Sequence, residues 1–289
     1  MKDSRSEFVD LGGVRLHVRR WGDPNAPILV MLHGWMDMSA TFQFVVDALG
    51  REWNIIAPDW PGFGLSGWSA CDYSLLQYAA DLDRLLDHYS PERPVPIVAH
   101  SMGANVCSIY AGARPQRISH YINIEGYAPV PGFFEGSLGQ TVGRWLDYQR
   151  KPGQARAYAS HAELAERLRE SNRRLSPERA EFLASQLGQV QDDGLIRIAA
   201  DPRTRFFAPI SLHPVQLMEL WADIASPVLC IRGGRSFVSH AFIDHSDDLA
   251  ARIASLPQGR EVLIEDGSHN LHHEFPQQVA ALIEDFLAA

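Results

Sequence analysis

The stretch Val95-Pro96-Ile97-Val98-Ala99-His100-Ser101-Met102-Gly103-Ala104 constrains the fold of this chain more than any other. An apolar, β-branched run stops at a polar residue, and Ala104 to Ala111 can follow as a helix with Val106, Cys107 and Tyr110 on one side. Small residues, Ala99 and Gly103, stand two before and two after Ser101. A sharp strand-to-helix turn strains the backbone at its apex and makes the side chain project, so the neighbours two residues away must be small. The helix start behind it offers free backbone N–H groups and a positive dipole end, suited to a developing oxyanion. An ordinary serine in such a turn has the same spacing, so the rest of the chain has to decide.

The rest is an alternation of strands and helices. Phe8 and Val9, then Gly12-Gly13, then Val14, Leu16 and Val18 alternating with Arg15, His17 and Arg19 predict a half-exposed antiparallel hairpin. The continuous apolar run 28–32 predicts a strand buried on both faces of a parallel sheet, and 53–57 a second buried strand. The first ends at His33-Gly34-Trp35, and the second runs into Pro58-Asp59-Trp60-Pro61-Gly62-Phe63-Gly64-Leu65-Ser66, an ordered loop rich in Pro and Gly. Leu75, Tyr78, Leu82, Leu85 and Tyr89 recur at helical spacing behind a cap at Asp72 or Ser74. A strand over 120–124 ends at Glu125-Gly126.

From there to Ile224 the rhythm stops, leaving helical stretches over 163–175 and 176–187, the second opened by Ser176-Pro177-Glu178 as cap, first-turn proline and first-turn acid. Strands resume at 227–231 and 261–264, and a helix closes the chain from about Pro276. The expectation is a mostly parallel open α/β sheet with helices on both faces, formed by 1–126 and 225–289, with 127–224 as an inserted helical domain. In such a sheet the loops at the carboxyl ends of the strands meet in one crevice, and His33-Gly34-Trp35, Ser101, Glu125 and His269 all lie at such ends.

At 289 residues the chain is long enough for one α/β domain with an insertion. The net charge of −9 speaks against nucleic acid or an anionic membrane as main partner. The start, 1–7, lacks the apolar run of a signal peptide, and no stretch approaches the roughly 20 apolar residues of a spanning helix, so a cytoplasmic protein is expected. Cys71, Cys107 and Cys230 are far apart, with no C-x-x-C, and are expected to be structural thiols. No set of histidines and carboxylates has metal-ligand spacing on one element, and the Gly-rich loops show neither nucleotide pattern, so neither metal nor cofactor is expected.

A serine hydroxyl becomes a nucleophile when a base takes its proton, and histidine has the suitable pKa. Glu265-Asp266-Gly267-Ser268-His269-Asn270-Leu271 follows the last strand and places His269 at a turn, while His272 and His273 are expected in the next helical turn facing solvent. The imidazole needs a carboxylate to fix its tautomer. The turn after the strand that resumes the sheet, Gly233-Gly234-Arg235-Ser236, holds no carboxylate. The acid at the mouth of a neighbouring strand is Glu125, with Asp244 and Asp247 as alternatives. Two backbone donors suit the oxyanion, the N–H groups of Met102 and Trp35. His33, Gly34, Trp60, His100, Tyr127 and Trp145 are candidate pocket residues, although packing into the core is an equal use for an indole. Asp37 and Asp59 read as loop or cap aspartates.

With these residues assembled, the chain resembles the α/β-hydrolase superfamily from end to end outside the insertion, which resembles its helical cap domain. The resemblance rests on His33-Gly34-Trp35, the loop from Asp59 to Ser66, Ala99-His100-Ser101-Met102-Gly103 and Gly267-Ser268-His269. Within it, 33–42 and Ser171-Asn172-Arg173-Arg174-Leu175-Ser176 are similar to the serine hydrolase-like proteins, a branch whose acid also follows the strand after the elbow. Ser236 departs from the superfamily's usual aspartate, and Ser101 departs from the carboxylate nucleophile of the haloalkane dehalogenases and epoxide hydrolases.

The resemblance implies a serine hydrolase acting on an ester or similar acyl bond of a small molecule. Two other functions stay open on the same fold: a cofactor-free ring-cleaving dioxygenase of N-heteroaromatic substrates, and a non-catalytic binding protein. Phe133, Phe134, Trp145, Phe206 and Phe207 point to an apolar or aromatic substrate if they face the crevice, or form the insertion's own core if they do not. The oligomeric state is not legible.

Overall fold

The computed structural model describes residues 1–132, 137–206 and 212–289. Phe133, Phe134 and Phe207 therefore lie outside the described residues. Eight strands form one sheet in the order β1-β2-β4-β3-β5-β6-β9-β10, where β1 is Ser4–Asp10, β2 Arg15–Trp21, β3 Ile28–Leu32, β4 Asn54–Pro58, β5 Val95–His100, β6 Ile118–Ile124, β9 Val228–Gly233 and β10 Gly259–Ile264. The β1–β2 and β2–β4 pairs are antiparallel, and every other pair in that sheet is parallel. Continuous apolar runs become strands because both faces are covered: Val30 and Leu32 join Ile97 and Ala99 in one core, while Leu29 and Met31 join Val98 in the other.

Helices α1 (Gln43–Ala48) and α11 (Pro276–Ala288) cover the second core, and α2 (Leu75–Tyr89) and α3 (Met102–Ala113) cover the first. Ser74 caps α2, its hydroxyl accepting from the Gln77 N–H. The chain leaves β3 for β4 on one side and later returns to β5 on the other, so the order reverses at β3 and a crevice is expected beyond the carboxyl ends of β3 and β5.

Between β6 and β9 lie α4 (Leu138–Arg150), α5 (His161–Ser171), α6 (Pro177–Leu187), a small ribbon of β7 (Gly188–Val190) and β8 (Ile196–Ile198), and α7 (Pro214–Ala222). The ribbon departs from the all-helical expectation: each strand is three residues long, too short for periodicity to show. Tyr158, Leu164, Ala165, Leu183, Leu187 and Ile196 form a third core together with Met38 and Ala40 from the loop after β3. Helix α7 belongs instead to the first core, where Leu217 and Trp221 join Tyr110 and Ala111 of α3. The rest of the chain holds α8 (Phe237–Ala241), α9 (Ser246–Ala254) and α10 (Leu271–Glu274). Among the described residues no helix is long and apolar enough to cross a membrane.

The hairpin corrects one expectation. His17, placed on the outward face by alternation, is fully buried. Its Nε2 lies 2.8 Å from Ser6 Oγ and its Nδ1 2.8 Å from Asp59 Oδ2, so a polar network closes over the ring. Cys107 and Cys230 are buried, Cys71 is exposed, and all three are free thiols.

Candidate active site

Ser101 sits between β5 and α3 with φ 51° and ψ −116°, a conformation costly for any residue with a Cβ. Its N–H donates to Ile124 O at 2.8 Å, fastening the turn to β6. The spacing rule has a steric basis here. A Cβ on Gly103 would come 2.5 Å from His33 O and 2.6 Å from Leu32 O, so the helix start packs directly on the end of β3. Ala99 is fully buried, and its methyl group is accommodated.

Three side chains from three strand ends form one hydrogen-bonded series. Ser101 Oγ lies 2.8 Å from His269 Nε2, and His269 Nδ1 lies 2.9 Å from Glu125 Oε2. Glu125 follows β6 with φ 62°, and its N–H donates to Ile231 O at 3.0 Å. Its other oxygen accepts the Gly233 N–H at 2.6 Å. Asp244 and Asp247, the alternative acids, are exposed, and the His269 Nδ1 partner is Glu125.

Burial pushes the Glu125 carboxyl above the usual carboxylate range, and the Gly233 N–H, the Ser236 hydroxyl and the Arg232 guanidinium oppose that rise. Ser236, standing where an acid is usual, is one of the groups that hold the Glu125 pKa down, and it caps α8 through the Ser239 N–H at 3.0 Å. Burial lowers the His269 pKa, so its imidazole is neutral, while the charges of Asp37 and Glu274 work in the other direction. A neutral His269 with its proton on Nδ1, facing Glu125, leaves Nε2 free to accept from Ser101. In that state such a series can activate a hydroxyl.

The loop after β3 closes over the serine. A Cβ on Gly34 would lie 2.8 Å from His100 Nδ1 and 3.2 Å from Ser101 Cβ, so only glycine lets this backbone approach. Trp35 is 48% exposed, and its indole N–H donates to Thr204 O at 2.8 Å, bridging this loop to the inserted segment. Met102 is the first residue of α3, so its N–H has no preceding helical turn to bond.

The expected pocket residues divide. His33, Trp60, His100 and Tyr127 are buried. His33 Nε2 accepts the Trp60 N–H at 2.9 Å, and the Trp60 indole donates to His33 O at 3.0 Å, locking two loops together. His100 Nε2 donates to the His269 carbonyl at 2.9 Å. Tyr127 points into the first core, and its hydroxyl donates to Glu261 Oε1 at 2.9 Å. Trp145 lies half-buried on α4, and Phe206 stacks on Tyr148 with ring centroids 5.8 Å apart.

His272 and His273 are a further correction. They occupy the next helical turn, α10, but are buried, because that turn packs against Phe42 and Phe44 at ring distances of 5.4 and 6.3 Å. Sequence reasoning also missed Phe237, whose ring lies 4.5 Å from that of His269 and is 56% exposed. It missed Glu274 as well. That carboxylate accepts the Ser268 N–H at 2.9 Å, the Ser268 hydroxyl, and Asn172 Nδ2 at 2.8 Å, tying the His269 loop to the end of α5. An acid five residues beyond His269 is the signal the sequence offers.

Comparison with known proteins agrees with this architecture. A serine hydrolase-like protein of Danio rerio is 26% identical over 99% of this chain and 90% of its own. Epoxide hydrolase A of Mycobacterium tuberculosis is 27% identical over 97% of this chain and 96% of its own. The solved thioesterase domain from the curacin biosynthetic pathway superposes with a TM-score of 0.86 at 26% identity, covering 98% of this chain and 99% of that one. The family model of the alpha/beta hydrolase fold matches residues 27–276, spanning every strand from β3 to β10 and each residue of the Ser101–His269–Glu125 series, and the chain belongs to that family.

Proposed function

We propose that this protein is a serine hydrolase that cleaves a carboxylic ester or a related acyl bond through an acyl-enzyme. The observation that carries the reading is the unbroken series from Ser101 Oγ through His269 to Glu125. Ser101 Oγ attacks the acyl carbon while its proton passes to His269 Nε2, and Glu125 holds the imidazolium that forms. The tetrahedral oxyanion accepts from the Met102 and Trp35 N–H groups, each worth about 2.7–4 kcal/mol in such sites. The intermediate collapses, the leaving alcohol takes the proton from His269, and water repeats the sequence to release the acid.

Ser101 and His269 are partly open to solvent, and Trp35 and Phe237 present exposed rings nearby, which supports a small apolar or aromatic ester. Residues 127–224 serve in this reading as a cap on the core of 1–126 and 225–289. The ties from Thr204 to Trp35 and from Asn172 to Glu274 support that role.

Intact-mass labelling with a fluorophosphonate tests the reading. The expected result is a single adduct on the wild type, none on Ser101→Ala, and a rate lowered by about 10⁴-fold in Glu125→Gln, the scale of losing the acid from such a triad. A folded wild type that takes up no adduct would overturn it.

A further inference from the structure

Asp37, His100 and His272 come from three separate segments: the loop after β3, the end of β5, and α10. All three are buried, each offers one atom able to hold a metal ion, and these atoms lie within 4.8 Å of one another. Both imidazoles are short of partners. His100 donates Nε2–H to the His269 carbonyl, so its Nδ1 keeps a bare lone pair, and that atom is buried with nothing bonded to it. Among the described residues neither ring nitrogen of His272 has a hydrogen-bond partner. Its Nε2 stands 3.6 Å from Asp37 Oδ2, beyond hydrogen-bond reach, and its ring centroid is 4.2 Å from that of His100. Buried polar atoms left unbonded cost about 1–3 kcal/mol each, and a bound ion or water is the usual reason that a native fold keeps them.

We propose that Asp37, His100 and His272 form a binding site for a divalent transition-metal ion, and that filling it slows the candidate nucleophile. Two imidazoles and one carboxylate are the donor set of zinc, cobalt, nickel or copper. Magnesium and calcium, which take about six or more oxygens, do not fit. Bonds of about 2.0–2.2 Å to zinc require the three ligand atoms to close toward one another, a movement that side-chain rotation can supply. The Asp37 side chain, 10% exposed, is the route from solvent. The site does not touch Ser101 as a catalytic metal would; it acts through His100. That ring holds the His269 carbonyl and lies 4.9 Å from the His269 ring between centroids. Drawing His100 toward a metal shifts His269 away from Ser101. The inhibitory part rests on the serine-hydrolase reading, whereas the binding part does not.

Isothermal titration of the chelator-treated protein with zinc chloride, and with magnesium chloride as control, tests the binding part. Zinc is expected to bind once per chain and magnesium not at all. Groups that merely orient a metal ligand cost about 10–100-fold in affinity when lost, so Asp37→Asn and His272→Gln should each lose at least about 10-fold. The exposed His240→Ala should change nothing. Copper(II) loaded into the wild type should give an electron paramagnetic resonance spectrum with couplings from two imidazole nitrogens, a readout that needs no variant to fold. Absence of zinc binding, affinity undiminished in both variants, or a copper spectrum without imidazole couplings overturns the site. Zinc is also expected to slow fluorophosphonate labelling of the wild type. Binding that leaves the labelling rate unchanged overturns the inhibitory part alone. Binding by a protein that never labels upholds the site and overturns the hydrolase reading.

Discussion

Gly34 and Gly103 show how closely backbone approaches Ser101. A methyl group on Gly34 would strike the His100 ring at 2.8 Å and press on Ser101 Cβ at 3.2 Å. Neither neighbour can yield freely, because His100 holds the His269 carbonyl and Ser101 is fixed in its turn. Gly34→Ala is therefore expected to displace the loop that carries the Trp35 N–H. A displacement of about 1 Å costs about 10²-fold in rate. Fluorophosphonate labelling of a folded Gly34→Ala should fall by that order, and an unchanged rate would show that the loop relaxes without moving its donor. Much of this residue-scale detail was legible, because a strained serine needs small neighbours and His33-Gly34-Trp35 ends a strand beside it. Glu125 emerged by elimination once the usual position was seen to hold Ser236. What the sequence could not show is that Ser236 helps hold down the Glu125 pKa, since the two residues are distant in the chain and close in space. The metal cluster was hidden for the same reason: its three ligands sit on three segments, and a search for spacing on one element passes over them.

The connections between elements tie the inserted helices to the His269 loop. Asn172, at the end of α5, donates to Glu274 of α10, and Glu274 holds both the N–H and the hydroxyl of Ser268, the residue before His269. Arg179 of α6 adds a bond to His273 O at 2.8 Å. Removing one donor from a partly buried carboxylate costs about 0.5–1.5 kcal/mol, which is a factor of about 2–10. Asn172→Ala should lower the labelling rate by about that factor while melting at nearly the wild-type temperature. A large loss of stability with labelling unchanged would assign the bond to the fold alone. At this scale the strands of the parallel sheet were legible because burial on both faces leaves a continuous apolar run. The β7–β8 ribbon was not, being three residues a side, nor was the burial of His272 and His273, whose partners Phe42 and Phe44 lie far away in sequence.

Across the whole molecule, Asp59 joins parts that no single element brings together. Its carboxylate lies 2.8 Å from His17 Nδ1 on β2 and accepts the Ser39 N–H at 2.7 Å and the Leu65 N–H at 2.9 Å. It thereby ties the antiparallel edge, the loop after β3 and the loop after β4. Burial by itself would raise its pKa. The hydrogen bond and charge of His17 and the Leu65 N–H outweigh that, and the folded value lies below the ordinary 3.8. A carboxylate whose pKa is depressed by folding binds fewer protons folded than unfolded in that range, so acid favours the unfolded chain. The stabilisation is complete above about 3.8 and is lost as the pH falls through the lower folded value. Asn cannot ionise, so Asp59→Asn should lack this dependence. Breaking a buried pair of this kind costs about 3–5 kcal/mol, and the variant should melt well below the wild type at neutral pH. As the pH is lowered below about 3.8, the wild-type curve should descend toward the variant's and the gap should narrow. Thermal unfolding of both proteins across that range decides the matter. A gap that stays constant with pH would mean that folding leaves the Asp59 pKa at its unfolded value, and a gap that widens in acid would mean that Asp59 is protonated in the folded protein.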